Sequence, residues 1–314
     1  MISVEDVKKV AVIGAGLMGP SIAQVFSQAG IETSLVARRE ESLEPAMALI
    51  QQNLELMAEF GRAERKDIPA VLGRIHPTTE LASAAKGVDF ALETVSEVVE
   101  LKRQIFSELS EICPGDAVLA SNTSSLNIAE IADVKNPERL LVAHWWLPAH
   151  ILPLVDVIPG PDTSPEVVSF TAELMRRLGK SPIVMKQPAD RALANRIQMP
   201  IGMAVGGMLE EGSASPEDID RAVKMSLGIR LPILGVVQSM DFTGLDTISN
   251  LMKGFGISNR VVEEKCSQRH FGTKTSRGIY DYGGRSEREI LEKRDRLFLK
   301  MLDFLEEIDA FEPV

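Results

Sequence analysis

The sequence predicts an α/β fold, with a doubly wound parallel sheet over residues 1–186 followed by an all-helical region over residues 187–314. Short apolar, β-prone runs alternate with amphipathic helical patterns along the first region, which is typical of parallel strands joined by helices. From residue 191 onward the apolar residues follow helical spacing. We therefore expect two domains, and 314 residues suffice to give each a core.

A glycine-rich turn near the start organises the first region. The apolar run of residues 10–13 is followed directly by G-x-G-x-x-G over residues 14–19, and an amphipathic helical pattern comes next. In such a turn the first glycine allows a sharp bend, the second lets a pyrophosphate approach, and the third lets the helix pack on the strand. The helix N-terminus adds free N–H groups. The sequence therefore predicts dinucleotide binding by Gly14, Gly16, Leu17, Met18 and Gly19.

The end of the second predicted strand, residues 31–36, bears on the choice of dinucleotide. An acid there favours NAD because it binds the ribose 2′-hydroxyl, whereas arginine accommodates the 2′-phosphate of NADP. This chain has Ala37 and then Arg38 and Arg39. NADP is therefore slightly favoured, with NAD left open because Glu40 and Glu41 could neutralise the arginines or serve the ribose.

Composition excludes several functional classes. The chain is 45% hydrophobic without a run of 18 apolar residues, so we expect a globular protein with no membrane span. Its two cysteines, Cys113 and Cys266, predict neither a disulfide framework nor a metal site. The net charge of −11 argues against nucleic acid as a partner. No signal peptide precedes the first strand, so a cytoplasmic protein acting on a small molecule is expected.

The remaining elements are predicted from periodicity and from turn and capping residues. The predicted strands are residues 73–75, 88–92, 117–120, 140–143, 154–158 and 181–184. The predicted helices are residues 41–59, 102–112, 165–178, 192–211, 216–225, 233–255, 258–268 and 287–305. His76 is placed in a loop between two helices.

Four polar residues are candidates for chemistry: Ser124, His144, Asp156 and Asn195. Histidine suits proton transfer because its ordinary pKa lies near working pH. Asp156 lies within an apolar strand that could return beside His144, and a buried acid needs a partner. Alone, His144 could be a satisfied structural histidine. Two tryptophans follow it. We expect one of them in the core, and the other could line the pocket, although aromatic side chains usually serve burial.

Seven motifs together resemble the L-3-hydroxyacyl-CoA dehydrogenase superfamily. They are VAVIGAGLMG, ALETVSEVVELKRQIFSEL, ASNTSSL, AHWWLPAHILPLVDVI, ALANRIQMPIGMA, EGSASPEDIDRAVKMSLGIR and TSRGIYDY. The resemblance covers nearly the whole chain. It implies a Rossmann-type domain followed by a helical dimerisation domain, and hence a homodimer.

Carried over by position, the resemblance implies roles for individual residues. His144 resembles the catalytic base, and Asp156 stands where the family has glutamate. Ser124 and Asn195 match residues that hold the substrate carbonyl and the histidine. The residues that match positions near the nicotinamide ribose and amide are Glu97, Lys102 and Asn122.

The chain also departs from the family pattern. Asp156 is one methylene shorter than glutamate, Leu147 replaces an asparagine, and Pro153 replaces the lysine typical of the acyl-CoA branch. The proline resembles the branch that acts on free acids, which includes lambda-crystallin/L-gulonate, carnitine and pyridoxal-degradation dehydrogenases. With Asp156, pairing with His144 requires either a closer backbone or a bridging water.

The resemblance implies an NAD(P)-dependent oxidoreductase that interconverts a 3-hydroxy acid or 3-hydroxyacyl-CoA and its 3-keto form. Two alternatives stay open. One is a non-catalytic, crystallin-like protein that binds the dinucleotide, because a shared fold does not establish a reaction. The other is an aldehyde or imine oxidoreductase on the same scaffold.

Overall fold

The computed structural model describes residues 3–189 and 191–312 and divides into two compact units, Met1–Pro200 and Ile201–Val314. In the first unit, eight strands form one sheet in the order β3-β2-β1-β4-β5-β6-β7-β8. The strands are β1 Lys9–Ile13, β2 Glu32–Val36, β3 Ile75–Thr78, β4 Phe90–Glu93, β5 Val118–Ser121, β6 Leu140–Trp145, β7 Leu154–Pro159 and β8 Ser181–Val184. Neighbouring strands are parallel except β6 and β7, which are antiparallel.

Helices cover both faces of this sheet, as the doubly wound prediction requires. They are α1 Gly19–Gln28, α2 Leu43–Glu59, α3 Ile68–Gly73, α4 Leu81–Ala85, α5 Val99–Ile112, α6 Ile128–Ile131 and α7 Pro165–Arg177. One face packs against α1, α2, α3 and α7 around Phe26, Phe90 and Trp145. The other packs against α4, α5 and α6 around Phe106 and Leu109. These helices cover the faces of the sheet and leave the carboxyl ends of its parallel strands uncovered. Ligands bind at these strand ends in such folds.

The prediction that His76 lies in a loop is wrong. It lies in β3 rather than in a loop, and its Nε2 is 2.7 Å from Glu32 Oε2. Pro77 obscured the strand because proline is excluded from central strands. Here β3 is the edge strand, where a missing N–H donor is tolerated.

The second unit is helical. Helix α8, Leu193–Glu211, leads into it, and it continues with α9 Pro216–Ala222, α10 Gly228–Thr243, α11 Leu245–Gly254, α12 Arg260–Ser267 and α13 Glu287–Glu307. The single helix predicted over residues 233–255 is wrong: α10 and α11 are separate, and Gly244 between them has φ +94°. Glycine adopts this conformation at little steric cost, so it can end one helix where the next begins.

A buried carboxylate fixes the loop after α12. Asp241 is fully buried and accepts hydrogen bonds from the backbone N–H groups of Ile279 and Tyr280 and from the Tyr282 hydroxyl. This explains the TSRGIYDY motif as a structural anchor. Within residues 3–189 and 191–312, no helix combines the length and apolar character needed to cross a membrane.

Candidate active site

His144 and Asp156 face each other across the one antiparallel pair of strands in the sheet. The register of β6 and β7 places them directly opposite, and His144 Nδ1 lies 3.5 Å from Asp156 Oδ2. His144 is 6% exposed and Asp156 is fully buried. The shorter acid thus comes close to the imidazole, because residues directly opposite on antiparallel strands are near each other.

Trp146 makes a second contact to the same carboxylate. Its indole Nε1–H donates to Asp156 Oδ2 at 3.0 Å, and its ring meets the His144 ring edge-on at a centroid distance of 5.1 Å. Trp145 instead packs in the core against Phe26. One tryptophan is thus in the core, as expected, and the bond from Trp146 to the acid was not predicted from the sequence.

A buried ion pair lies at the carboxyl ends of β4 and β5. Lys102 Nζ on α5 is 2.7 and 2.9 Å from the two oxygens of Glu93, and Ser121 Oγ donates to Glu93 Oε2 at 2.6 Å. Glu93 is the last residue of β4. Its pairing depends on how α5 returns over the sheet, which residue spacing does not show.

Glu97 organises the loop after β5. It accepts from the Ser124 backbone N–H at 2.8 Å and from the Ser124 and Thr123 hydroxyls, and Lys102 Nζ is 3.3 Å away. Burial raises the pKa of Glu97, but these donors and the ammonium outweigh it and leave the pKa below its ordinary value. Glu97 is therefore a carboxylate at neutral pH.

Two asparagines connect the predicted site residues. Asn122 Oδ1 accepts from the backbone N–H of Trp145 at 2.7 Å, which ties the loop after β5 to the strand carrying His144. Asn195 Nδ2 donates to the Ser124 carbonyl at 3.4 Å. The structure therefore joins His144 with Asp156, and Ser124 with Glu97 and Asn195, while Asn122 bridges the two groups.

The glycine turn fits a dinucleotide. A Cβ on Gly19 would lie 1.7 Å from the Gly14 carbonyl oxygen, so the third glycine is needed for close packing. A Cβ on Gly16 would meet no described atom within 4 Å, so the backbone there is open to a ligand. The exposed Leu17 and half-buried Met18 complete the turn at the N-terminus of α1. These are the features that pyrophosphate binding requires.

The end of β2 presents an exposed arginine. Ala37 is buried, Arg38 is exposed, and Arg39 Nη1 lies 3.6 Å from Glu41 Oε1. Arg39 thus lies near an acid at the surface, as the sequence allowed.

A groove of about 740 Å³ lies on the face of α1 and α2, beside the turn that joins β6 to β7. Its apolar walls include Leu56, Phe60 and Ile151. Lys180 also lines it, donating to the Ala149 and Leu152 carbonyls, and burial lowers the pKa of Lys180 to about 8. The described residues hold no cluster of His, Cys, Asp or Glu side chains suited to a metal ion.

Comparison with known proteins agrees with this geometry. The family model of the 3-hydroxyacyl-CoA dehydrogenase NAD binding domain matches residues 9–188, and that of the C-terminal domain matches residues 193–282. The glycine turn at the end of β1 places the first unit among the dinucleotide-binding domains. The chain belongs to the 3-hydroxyacyl-CoA dehydrogenase family, whose N-terminal domain binds NAD.

Relatives span nearly the full chain. The 5-formyl-3-hydroxy-2-methylpyridine 4-carboxylate 5-dehydrogenase of Mesorhizobium japonicum is 27% identical over 310 residues, covering 96% of this chain and 99% of the relative. The 3-hydroxybutyryl-CoA dehydrogenase of Clostridioides difficile is 32% identical, covering 87% and 99%. The crystal structure of a 3-hydroxyacyl-CoA dehydrogenase from Archaeoglobus fulgidus is 31% identical with a TM-score of 0.79, covering 95% and 99%.

Proposed function

We propose that this protein is a dehydrogenase that interconverts a 3-hydroxy acid, free or as a CoA thioester, with its 3-keto form. The observation that carries the proposal is the buried pair of His144 and Asp156, 3.5 Å apart at the ligand-binding edge of a dinucleotide-binding sheet. Oxidation of an alcohol to a ketone removes a proton from oxygen and a hydride from carbon, and a histidine paired with an acid is suited to accept the proton.

The residues take the following roles in this proposal. His144 accepts the hydroxyl proton, and Asp156 stabilises the imidazolium that forms. Ser124 and Asn195 hold the substrate oxygen, while Glu97, Lys102 and Asn122 shape the nicotinamide end of the dinucleotide site. A bound nicotinamide supplies the hydride acceptor. Holding both reactants in one orientation contributes much of the acceleration.

The family and the local sequence point to different dinucleotides. NAD is the cofactor that the matching domain family names. A preference for NADP, based on Ala37 and Arg38, stays a prediction. Separate fluorescence titrations with NADH and NADPH test it, since tenfold tighter binding corresponds to about 1.4 kcal/mol. Tighter NADPH binding that Arg38→Ala abolishes would support the preference, and tighter NADH binding would overturn it.

The experiment that tests the reaction is a substrate panel followed by absorbance of the reduced cofactor. It contains free 3-hydroxy acids, 3-hydroxyacyl-CoA thioesters of matched chain length, and aromatic aldehydes. Turnover of a hydroxy acid or its thioester supports the proposal. The ratio of their kcat/KM values shows whether the protein acts on free acids or on CoA thioesters.

A second candidate is oxidation of an aldehyde. The relative from Mesorhizobium japonicum, similar over 96% of this chain, is named as a dehydrogenase of a formyl-pyridine carboxylate. Turnover of aldehydes alone would favour it. If the protein binds the cofactor but turns over no member of the panel, the result would favour the non-catalytic, crystallin-like alternative.

A further inference from the structure

The environment of Asp156 contains a donor that the reaction outlined above does not use. The carboxylate is fully buried, and among the described residues its Oδ1 has no hydrogen-bond partner. Both polar contacts of the carboxylate involve Oδ2, which accepts a hydrogen bond from Trp146 Nε1 at 3.0 Å and lies 3.5 Å from His144 Nδ1. A buried carboxylate is held in place by its donors, so the shorter contact decides its orientation.

The indole is well placed to fix this orientation. Trp146 is half-buried, and its ring meets the imidazole edge-on with an interplanar angle of 85°. The same side chain therefore restrains both partners: its N–H holds the acid and its ring flanks the base. Trp145, its neighbour in sequence, packs in the core, and its buried Nε1 has no partner among the described residues.

We propose that Trp146 is a positioning residue that holds the Asp156 carboxylate against His144. The expected kinetic effects of this positioning rest on the proposed dehydrogenase function. The hydrogen bond between Trp146 and Asp156 does not depend on that function. An aspartate at this position is short, and its contact to the imidazole is at the limit of a hydrogen bond. The indole N–H compensates by keeping Oδ2 directed at the base. A glutamate, with one more methylene, would reach the imidazole without this help.

The first test is independent of turnover. The chain has two tryptophans, so its proton NMR spectrum contains two indole N–H resonances, assigned by Trp145→Phe and Trp146→Phe. We expect the Trp146 resonance to lie downfield and to move upfield in Asp156→Asn, because the charged acceptor is lost. The Trp145 resonance should stay in place as an internal control. An unmoved Trp146 resonance would overturn the proposal.

The second test is a double-mutant cycle. Trp146→Phe keeps an aromatic ring beside His144 but removes the donor, and we expect kcat to fall about tenfold, the kinetic equivalent of one hydrogen bond to a charged group. The KM for the cofactor should not change. In the Asp156→Glu background the same substitution should cost less than about twofold, because coupled residues are not additive.

Two kinetic outcomes would contradict the proposal: an equal loss in both backgrounds, which is the signature of a merely structural tryptophan, or no loss in the wild-type background. If the wild-type protein turns over no member of the substrate panel, the proposed function fails, and the indole resonance in Asp156→Asn still decides the proposal.

Discussion

His144 is the side chain whose loss should matter most for turnover. It is buried opposite Asp156, and positioned proton transfer contributes about a hundredfold to ten-thousandfold to such reactions. We expect His144→Gln to lower kcat about a thousandfold. Cofactor affinity should stay within about twofold, because the glycine turn that binds the pyrophosphate is untouched. Steady-state kinetics and NADH titration of the same preparation measure both, and a kcat near the wild-type value would contradict the assignment.

Lys180 gives a prediction about stability and pH. Its ammonium is largely buried with backbone carbonyls as partners, and its pKa falls from the ordinary 10.5 to about 8. Between pH 8 and 10.5 the unfolded chain therefore binds more protons than the folded chain at this site, so stability rises with pH there. We expect the urea midpoint of the wild-type protein to increase relative to that of Lys180→Met as pH rises from 8 to 10.5. A constant difference over this range would contradict the prediction.

At the same scale, the sequence predicted which polar residues lie at the edge of the sheet. It did not predict all of the side chains that bond to them. His144 and Asp156 could be paired because a strand returning beside another places residues in register. The bonds from Trp146 to Asp156 and from Lys102 to Glu93 depend on side-chain direction and helix placement. No residue spacing encodes these, so they emerged only from the structure.

At the scale of the element, the strand–turn–helix of β1 and α1 allows two glycines to be separated experimentally. A methyl group on Gly16 meets no described atom, whereas one on Gly19 collides with the Gly14 carbonyl. We expect Gly16→Ala to unfold at the wild-type temperature but to bind NADH at least about tenfold more weakly, since the second glycine makes room for the pyrophosphate. Gly19→Ala should lower the unfolding temperature. Thermal denaturation with and without NADH distinguishes them, and unchanged affinity in Gly16→Ala would contradict the cofactor site.

Elements with strong periodicity were predicted well, and short or interrupted ones were not. The central strands and α2, α7 and α13 follow their predicted ranges closely, because a clear apolar pattern determines the type of secondary structure. Helices α4 and α6 have five and four residues, too few for a period to show. The break at Gly244 was missed because an isolated glycine within an apolar helical pattern is usually tolerated.

At the scale of the whole molecule, the two units differ in how much apolar surface they hide. The first buries two extensive clusters on the faces of its sheet. In the described part of the second unit, the buried apolar side chains are Ile219, Leu245, Val262, Tyr282 and Ile290. Large apolar side chains there remain exposed, among them Met203 at 71%, Phe255 at 79% and Leu299 at 62%. Apolar side chains exposed to this extent are typical of surfaces that bind a partner.

We propose that a second copy of the chain covers these exposed side chains of the second unit, as the family resemblance implies. Sedimentation equilibrium should then give about twice the chain mass of 34.3 kDa at micromolar concentration. Phe255→Glu should weaken association, because it places a charge in an apolar interface. Phe60→Glu is the matched control, since Phe60 is equally exposed at 76% but lies in the first unit, and it should leave the mass unchanged. A monomeric wild-type protein, or equal weakening by both variants, would mean that the exposed helices serve another purpose.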